Sequence, residues 1–479
     1  MGERRDGCKG ADGGGGPCSG FDLAIAGGGT AAFAAALRAS ELGARTLIVN
    51  EGTLGGTCVN VGCVPSKTLI RAAENAHWSG LSRFRGIKPE GSRVDVAELV
   101  REKDELVEDL RRVKYSAVLA RLGGAELVEG RAVLDGAHRI RVGETFFEAD
   151  KILLATGSRP SLPPIPGLRE AGVWDSTQAL AVRALPAELL VLGGGYVALE
   201  LAQMFARLGS RVAIVQRSPQ ILRGEDPDVV RALVEALESE GIELRTGQQV
   251  ERVEREGETF RVTVRANDVG HELVAGAVLA ALGRQPNSEG LGPVILDARG
   301  FVQVAEDLQT SVPGVYAAGD VIGDPVYVYA AAYEGRLAAQ NALGSGPEVR
   351  DYTALPWVIF TDPQVAGVGL NEREARAAGL EVDVVSLPLA KVPRALAARD
   401  TRGVVKLLRA HGEDRLVGAR FVAPEGGEQI MEPALMIRFG LPISRVAAHF
   451  HPYLTQSEAV KLALLAFDKD IESLSCCAS

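Results

Sequence analysis

Residues 55–67 read GGTCVNVGCVPSK. Because four residues separate Cys58 from Cys63, their sulfurs can come within disulfide distance about one helical turn apart. At the start of a helix, the helix dipole also lowers the pKa of a thiol. The proline that follows suits the first turn of a helix, which we expect over residues 66–76, with Lys67 one turn beyond Cys63. The segment therefore predicts a redox-active cysteine pair.

The same pair of cysteines is compatible with two other interpretations, a buried structural disulfide and half of a zinc site. Zinc requires two further ligands at C-x-x-C or H-x-x-x-H spacing, and neither spacing occurs nearby in the sequence. The glycines before Cys58 also allow the backbone to approach a flat cofactor closely. The missing zinc spacings favour a redox-active pair.

This segment resembles the signature of the class I pyridine nucleotide-disulphide oxidoreductases, the family of dihydrolipoyl dehydrogenase, glutathione reductase and mercuric ion reductase. The resemblance extends from about Phe21 to the C-terminus. The last residues, 474–479, read LSCCAS and resemble the family members that reduce mercuric ion in particular. The resemblance implies an α/β fold with two Rossmann-like dinucleotide-binding domains, for FAD and NADPH, and a C-terminal α+β dimerisation domain.

The composition is that of an ordinary globular protein. A length of 479 residues suggests about three domains, and 46% hydrophobic with 24% charged residues permits a large core. The net charge of −10 argues against nucleic acid as a partner. No apolar run reaches the roughly 18 residues that cross a bilayer, and the N-terminus lacks an apolar signal core, so we expect a cytoplasmic protein with no membrane partner.

Residues 1–19 contain seven glycines and little apolar surface, so we expect a disordered tail. Cys8 and Cys18 lie within it, with nine residues between them. That spacing is not the chelating C-x-x-C pattern, so these cysteines are either spare thiols or weak scavengers of metal.

A dinucleotide fingerprint begins with the apolar strand at residues 21–26. It continues as a G-x-G-x-x-A turn, formed by Gly27, Gly29 and Ala32, that opens an alanine-rich helix. A second strand then ends at Glu51, about 20 residues on. In this pattern the pyrophosphate binds at the helix N-terminus and the acid binds the ribose hydroxyls, so we expect FAD here.

The resemblance assigns additional FAD contacts along the chain. A second motif ends at Thr156 and Gly157, and a third, TSVPGVYAAGD, ends at Asp320, which hydrogen-bonds the ribityl chain in the family. The full set of implied FAD residues is Gly27, Gly29, Ala32, Glu51, Gly56, Thr57, Lys67, Thr156, Gly157 and Asp320.

A second fingerprint follows the strand at residues 189–192, with Gly193 and Gly195 in its glycine turn. The next strand ends at Gln216, where a site specific for NAD would place an acid. Arg217 and Arg223 can instead pair with a 2′-phosphate, which predicts NADPH. A solvated surface charge is the alternative for Arg223. By resemblance Gly283, in the segment ALGRQPN, also contacts NADPH.

The resemblance further pairs Glu200 with Lys67 beside the flavin, where a buried cation stabilises reduced flavin and needs a partner. Tyr196 matches the residue that covers the nicotinamide pocket, although a tyrosine after a glycine turn can also simply pack there. Residues 94–122 show charges and leucines at helical spacing, which predicts a long amphipathic surface helix.

The domain boundaries follow from these motifs and the resemblance. We expect the tail at 1–19, the FAD domain at 20–160 and 286–349, the NADPH domain at 161–285, and the dimerisation domain with its cysteine tail at 350–479.

The segment at residues 449–458 reads HFHPYLTQSE. Disulfide reductases of the family place Glu five residues after the histidine, as an acid-base pair for a thiol leaving group. Here the fifth residue after His451 is Gln456, and Glu458 stands two further on. Tyr453 with the following Leu-Thr instead resembles the enzymes that reduce mercuric ion. Keeping His451 departs from that pattern and leaves its role open.

Cys476 and Cys477 form the C-terminal cysteine pair. Neighbouring cysteines form a disulfide only with strain, but two soft thiolates can capture a thiophilic ion and pass it on. A chance Cys-Cys sequence is the alternative.

Together, the resemblance implies an FAD enzyme in which NADPH reduces Hg(II) to Hg(0) through Cys58 and Cys63. Cys63 lies against the flavin and Cys58 is the outer thiol. Hg(II), arriving as a thiol complex, is captured by Cys476 and Cys477 of the partner subunit in a homodimer with shared active sites. The second possible function is that of a dihydrolipoyl dehydrogenase or another disulfide reductase. A protein without catalytic activity, which binds FAD or sequesters metal, is a third possibility.

Overall fold

The structure is a computed structural model that describes residues 18–473. Its strands are β1 (Cys18–Ala26), β2 (Thr46–Asn50), β3 (Ala125–Glu129), β4 (Ala132–Leu134), β5 (Arg139–Val142), β6 (Thr145–Leu154), β7 (Ser158–Pro160), β8 (Glu188–Leu192), β9 (Arg211–Gln216), β10 (Glu243–Thr246), β11 (Gln249–Glu256), β12 (Thr259–Ala266), β13 (Val269–Ala275), β14 (Ala277–Ala280), β15 (Arg284–Pro286), β16 (Val315–Ala317), β17 (Trp357–Ile359), β18 (Gln364–Gly369), β19 (Val382–Pro388), β20 (Val404–Ala410) and β21 (Leu416–Ala423).

The helices are α1 (Thr30–Glu41), α2 (Gly56–Val61), α3 (Cys63–Ser79), α4 (Val96–Arg111), α5 (Ala117–Leu119), α6 (Ser176–Ala179), α7 (Tyr196–Leu208), α8 (Pro227–Ser239), α9 (Val328–Leu343), α10 (Glu372–Ala377), α11 (Pro393–Ala398), α12 (Gly426–Gln429), α13 (Met431–Phe439), α14 (Ile443–Ala447) and α15 (Ser457–Leu465). A π-helical turn, Arg112–Ser116, joins α4 to α5.

The described chain divides into two compact units. The first contains residues 18–66, 101–161 and 283–350, and the second contains 67–100, 162–282 and 351–473. The boundaries of the three domains expected from the sequence stay a prediction.

The first unit is built on a sheet in the order β3-β2-β1-β6-β5-β4, with β16 paired to β6. Strands β1, β2, β3 and β6 run parallel, which brings the ends of β1 and β2 to the same edge. Helices α1 and α9 pack closely because their contact is lined by small residues. A Cβ on Gly335 of α9 would lie 2.1 Å from the carbonyl oxygen of Ala31, so only glycine fits there.

The second unit contains a parallel sheet in the order β10-β9-β8-β14. It also contains the antiparallel sheets β11-β12-β13 and β17-β18-β21-β20-β19. Helix α7 buries Leu199, Ala202 and Phe205 in a core that also contains Leu69 and Ala73 of α3. Each fully buried leucine or phenylalanine side chain contributes about 1.5–3 kcal/mol to folding.

Three elements differ in extent from the sequence expectations. Helix α3 begins at Cys63 and is longer than the predicted 66–76. The predicted helix over 94–122 is interrupted by the π-helical turn. Strand β1 begins at Cys18, so the last two residues of the expected tail are in a strand, while residues 1–17 lie outside the described part. Among residues 18–473, no helix combines the length and the apolarity needed to span a membrane.

Candidate functional site

The first glycine turn lies where β1 ends and α1 begins. Gly27 has φ 125°, and a Cβ there would lie 2.1 Å from the carbonyl oxygen of Ala155. Gly29 is the N-cap of α1, and its lack of a side-chain cap leaves the first-turn N–H groups available to an anion. Ala32 is fully buried on the same helix. These features suit the pyrophosphate of a dinucleotide.

The cysteine segment is attached directly to this turn. The N–H of Gly55 donates to the carbonyl oxygen of Gly28 at 2.8 Å. A Cβ on Gly56 would lie only 2.7 Å from the Cα of Gly29, so glycine is needed at position 56 for the backbones to pass. Gly56, and Thr57 after it, therefore stand beside the turn that is expected to hold FAD.

Strand β2 ends beside the same turn. Asn50, its last residue, is buried, and its Oδ1 would lie 2.5 Å from a Cβ on Gly28. Glu51 follows and is exposed, which leaves its carboxylate accessible to ribose hydroxyls. The turn, the strand end and the acid thus have the arrangement that the fingerprint predicts.

The two later FAD motifs also lie within the first unit. Thr156 exchanges hydrogen bonds with Asn287, through Oγ1 at 2.7 Å and its carbonyl oxygen at 2.9 Å. Gly157 has φ 72°, a conformation that favours glycine. Asp320 accepts a 2.6 Å hydrogen bond from the hydroxyl of Ser158, so its carboxylate is held in place. The residues present therefore fit FAD.

Cys58 lies on α2 and Cys63 is the first residue of α3, with Gly62 between the helices. A Cβ on Gly62 would lie 2.9 Å from the carbonyl oxygen of Thr57, which explains the glycine. Both cysteine side chains are half-buried. Asn60 closes the segment by donating to the carbonyl oxygens of Leu54 and Gly56, at 3.0 and 2.9 Å.

Tyr115, in the π-helical turn, was not singled out from the sequence. Its ring packs edge-on against Phe33, with centroids 4.9 Å apart, and its Cδ2 lies 3.3 Å from the position of a Cβ on Gly55. Burial raises the pKa of Tyr115; the charges of Cys58 and Cys63 add to this shift, and a hydrogen bond with Thr30 opposes it. The phenol therefore lies in the electrostatic field of both sulfurs.

The second glycine turn repeats the geometry of the first. Gly193 has φ 112°, and a Cβ there would lie 2.3 Å from the carbonyl oxygen of Ala281. Gly195 is the N-cap of α7, again without a side-chain cap. Gln216 ends β9 beside Gly194, as Asn50 ends β2 beside Gly28.

Arg217 thus follows Gln216 in the place where Glu51 follows Asn50. Arg217 and Arg223 are both exposed, and neither forms a salt bridge with a residue in 18–473. Two accessible cations at this position suit a 2′-phosphate, and they replace the acid that binds an unmodified ribose.

Lys67 and Glu200 form the ion pair that the resemblance implies. Lys67 Nζ lies 2.7 Å from Glu200 Oε2, and the other carboxylate oxygen accepts from the N–H of Phe360 at 2.9 Å. The Lys67 ammonium also lies 4.7 Å from the centroid of the Phe360 ring. Glu200 is almost fully buried, and the pair borders a cavity of about 100 Å³. Tyr196, at the start of α7, is 45% exposed and lies one turn before Glu200.

Gly283 has φ 105° and accepts a hydrogen bond from the N–H of Ser161 through its carbonyl oxygen, at 2.9 Å. Its expected contact with NADPH stays a prediction.

His451 makes a pair that the sequence did not indicate. Its Nε2 lies 2.8 Å from Glu432 Oε1, and its Nδ1 lies 3.2 Å from the carbonyl oxygen of His449. Glu458 is buried, its Oε2 has no hydrogen-bond partner among the described residues, and burial raises its pKa. Tyr453 is 49% exposed. Cys476 and Cys477 lie outside the described residues.

Asp226, Asp228 and Glu372 bring carboxylate oxygens within 4.8 Å of one another, which is compatible with a metal site. Lys406 Nζ contacts all three, at 3.0, 2.8 and 2.5 Å. The Lys406 ammonium therefore already lies among these carboxylates and compensates part of their charge.

A two-cysteine segment attached to one glycine turn, with a second such turn elsewhere in the chain, is typical of nucleotide-dependent flavoprotein oxidoreductases. The chain belongs to the pyridine nucleotide-disulphide oxidoreductase family, whose model matches residues 21–342. The dimerisation domain of that family matches residues 355–464. This confirms the family and the fold class predicted from the sequence, and it agrees with FAD and a pyridine nucleotide as cofactors.

The chain is similar to named mercuric reductases over nearly its whole length. It is 41% identical to the mercuric reductase of Staphylococcus aureus, over 96% of this chain and 84% of that protein. It is 43% identical to the mercuric reductase of Streptomyces lividans, over 96% of this chain and 99% of that protein. A solved structure, the Cu(II) complex of the HOCl-induced flavoprotein disulfide reductase RclA from Escherichia coli, superimposes with a TM-score of 0.84 at 30% identity, covering 94% and 100% of the two chains.

Proposed function

We propose that this protein is a flavoenzyme that reduces Hg(II) to Hg(0) with NADPH, as a homodimer. The observation that carries the proposal is the similarity to mercuric reductases at 41% and 43% identity over almost the entire chain. The match of residues 355–464 to a dimerisation domain supports the dimer. The overall reaction, Hg(SR)₂ with NADPH and one proton giving Hg(0), two thiols and NADP⁺, balances two electrons.

Cys58 and Cys63 are proposed to bind Hg(II) by ligand exchange. Each cysteine thiolate forms one Hg–S bond and displaces one thiolate ligand from the incoming complex, because soft sulfur ligands suit a soft ion. The attachment of their segment to the first glycine turn, through Gly55 and Gly56, supports a place beside FAD. FAD, when bound, supplies the two-electron carrier between NADPH and this site.

The remaining residues are proposed to hold the nucleotides and to compensate charge. Gly29 and Gly195 begin the two helices that would receive the pyrophosphates of FAD and NADPH. Glu200 fixes the Lys67 ammonium, and Tyr196 covers the nicotinamide pocket. The C-terminal cysteine pair delivers Hg(II) to the partner's active site.

Coenzyme preference is proposed to rest on Arg217 and Arg223. Their exposure, and the replacement of the expected acid by Gln216 and Arg217, favour NADPH over NADH.

A flavin disulfide reductase is the second candidate, favoured by the solved neighbour and by the presence of His451. Acid-base catalysis on a thiol requires a ring nitrogen that can face the sulfur. Both ring nitrogens of His451 already face acceptors, the carboxylate of Glu432 and the carbonyl of His449. The similarity to mercuric reductases over almost the entire chain is what ranks the mercuric function first.

The test is NADPH oxidation with Hg(II) in excess thiol, compared with lipoamide and with glutathione disulfide. We expect Hg(II)-dependent oxidation and release of volatile mercury. The double variant Cys58→Ala, Cys63→Ala should lose this activity while it keeps FAD, and Cys18→Ala serves as the matched control. Turnover of a disulfide without turnover of Hg(II) would replace the proposal by the second candidate.

A further inference from the structure

The segment that carries Arg223 is held from two sides. Residues 220–226, which we name the specificity loop, form the second part of the connection between β9 and α8. On one side the N–H of Leu222 donates to the carbonyl oxygen of Gly194, at 2.9 Å, and the Cγ2 of Ile221 lies 3.0 Å from the position of a Cβ on Gly194. The first half of the specificity loop therefore rests on the second glycine turn.

On the other side, the loop is bound by a buried arginine. Arg420, on β21, donates through Nε to Glu225 Oε2 at 2.6 Å. Its side chain is only 2% exposed. Its Nη1 donates to the carbonyl oxygens of Val368, Gly369 and Ala419, at 3.0, 3.2 and 2.9 Å. These contacts hold the guanidinium in place, and its ion pair in turn restrains the position of Glu225.

A buried lysine holds the next residue. Lys406, on β20, has a side chain that is 1% exposed and lies 3.0 Å from Asp226 Oδ2. The same carboxylate oxygen accepts from the N–H of Glu372 at 3.3 Å, and Asn371 Nδ2 donates to the carbonyl oxygen of Gly224 at 3.0 Å. Three consecutive residues of the specificity loop, 224–226, are thus bound to residues of the C-terminal part of the chain.

Burying two cations to hold a loop is unfavourable on its own, since ion pairing offsets only part of the desolvation free energy of the charges. An ion pair with fixed geometry does, however, define one backbone position. Arg223 precedes these three residues and is exposed. A fixed backbone reduces the entropy that a long arginine side chain and its loop lose when they bind a phosphate.

We propose that Lys406 and Arg420 are positioning residues for coenzyme specificity: they hold the specificity loop so that Arg223 can bind the 2′-phosphate of NADPH. The proposal rests on the coenzyme preference proposed above. It gives residues within the dimerisation-domain match a role in nucleotide recognition.

The test uses substitutions on the loop side, because removing either buried cation leaves carboxylates buried without a partner and can prevent folding. Glu225→Gln and Asp226→Asn keep the shape and remove the charge. Glu188→Gln, which loses an ion pair with the exposed Arg211, is the matched control. The probes are adenosine 2′,5′-bisphosphate and adenosine 5′-monophosphate, with binding to the holoenzyme measured by calorimetry.

We expect the double variant Glu225→Gln, Asp226→Asn to bind the bisphosphate about tenfold more weakly, a change of about 1.4 kcal/mol, with much less effect on the monophosphate. In an Arg223→Ala background, the same double substitution should add nothing to the bisphosphate loss. Equal losses of affinity for the bisphosphate and the monophosphate would show a merely structural role and overturn the inference. So would a loss of bisphosphate affinity that is just as large when Arg223 is already alanine.

The outcomes also separate this inference from the coenzyme proposal. Wild-type enzyme that binds the two probes equally would overturn both. If Arg223→Ala removes the preference for the bisphosphate and the loop double variant retains it, the coenzyme proposal stands and the positioning role of Lys406 and Arg420 is wrong.

Discussion

Replacing Arg207 by methionine should destabilise the second unit by about 3 kcal/mol, the lower end of the usual cost of breaking a buried ion pair. Arg207 binds Glu240 through two nitrogens, at 2.7 and 2.6 Å, and Asp362 at 2.8 Å. The side chains of Arg207, Glu240 and Asp362 are 4%, 6% and 16% exposed. We expect the lower end because Arg402 still lies 3.3 Å from Glu240.

The measurement is guanidinium unfolding of the holoenzyme followed by tryptophan fluorescence. Trp78 is a local reporter, since Arg207 and Arg402 lie 5.8 and 5.5 Å from its ring centroid. The matched control is Arg211→Met, which breaks an ion pair whose arginine is 79% exposed. That substitution should cost about 0–1 kcal/mol.

The effect should also depend on pH through His77. Burial, and next the charge of Arg207, lower the pKa of His77 below its ordinary value of 6.5. The unfolded chain therefore binds a proton near this pH that the native protein does not, so the wild type loses stability as the pH falls below about 6.5. Without Arg207 the pKa of His77 in the native protein rises, so the variant loses less stability than the wild type as the pH falls. The difference in free energy of unfolding between wild type and Arg207→Met should thus be smaller at about pH 5.5 than at about pH 8. A deficit equal to that of Arg211→Met, or one that is the same at both pH values, would refute this reasoning.

The double substitution Arg217→Ala, Arg223→Ala should raise the KM for NADPH much more than that for NADH, since a charge-assisted contact contributes about 1.5–3 kcal/mol; equal changes in steady-state KM would contradict the assignment. Cys63→Ala should remove the long-wavelength charge-transfer absorbance of the reduced holoenzyme, whereas alanine at the other cysteine of the segment should keep it, and the reverse pattern would exchange their roles. Alanine at both positions of the C-terminal cysteine pair should reduce turnover most with Hg(II) bound to a bulky dithiol and less with halide complexes; equal loss with both would contradict delivery.

The sequence was most informative where backbone geometry restricts the choice of residue. Gly27 and Gly193 both have positive φ. A Cβ built on either residue would lie within 2.3 Å of a carbonyl oxygen, so other residues are excluded. The spacing from each glycine turn to the next strand end was equally restrictive. Such positions leave a pattern that can be recognised in a single sequence.

The pairing of Lys67 with Glu200 joins residues 133 positions apart. No local pattern relates them, so this contact came from the family resemblance alone. Tyr115 was missed for a different reason. The leucine and charge spacing predicts one continuous helix, and the π-helical turn that places the phenol beside the cysteines is a local departure from that repeat.

The charge network around α7 could not be predicted because its partners come together only in the folded chain. Glu200, Gln203 and Arg207 lie at helical spacing on one face of α7, but amphipathic spacing alone indicates a solvated face as readily as a buried one. In the structure all three side chains are buried, so this polar face of α7 lies in the protein interior.

The polar face of α7 binds both Lys67 and the segment at residues 360–362. Glu200 accepts from the N–H of Phe360, Gln203 accepts from the N–H of Asp362 at 2.8 Å, and Arg207 binds the carboxylate of Asp362. The short segment 360–362 is therefore bound at three successive points along the helix. Because the same carboxylate of Glu200 also pairs with Lys67, a shift of this segment would move the acceptor on which the ammonium depends. The glycine turn at the start of α7 and the charge network near its end therefore lie on one helix, and the position of segment 360–362 depends on Glu200, Gln203 and Arg207 together.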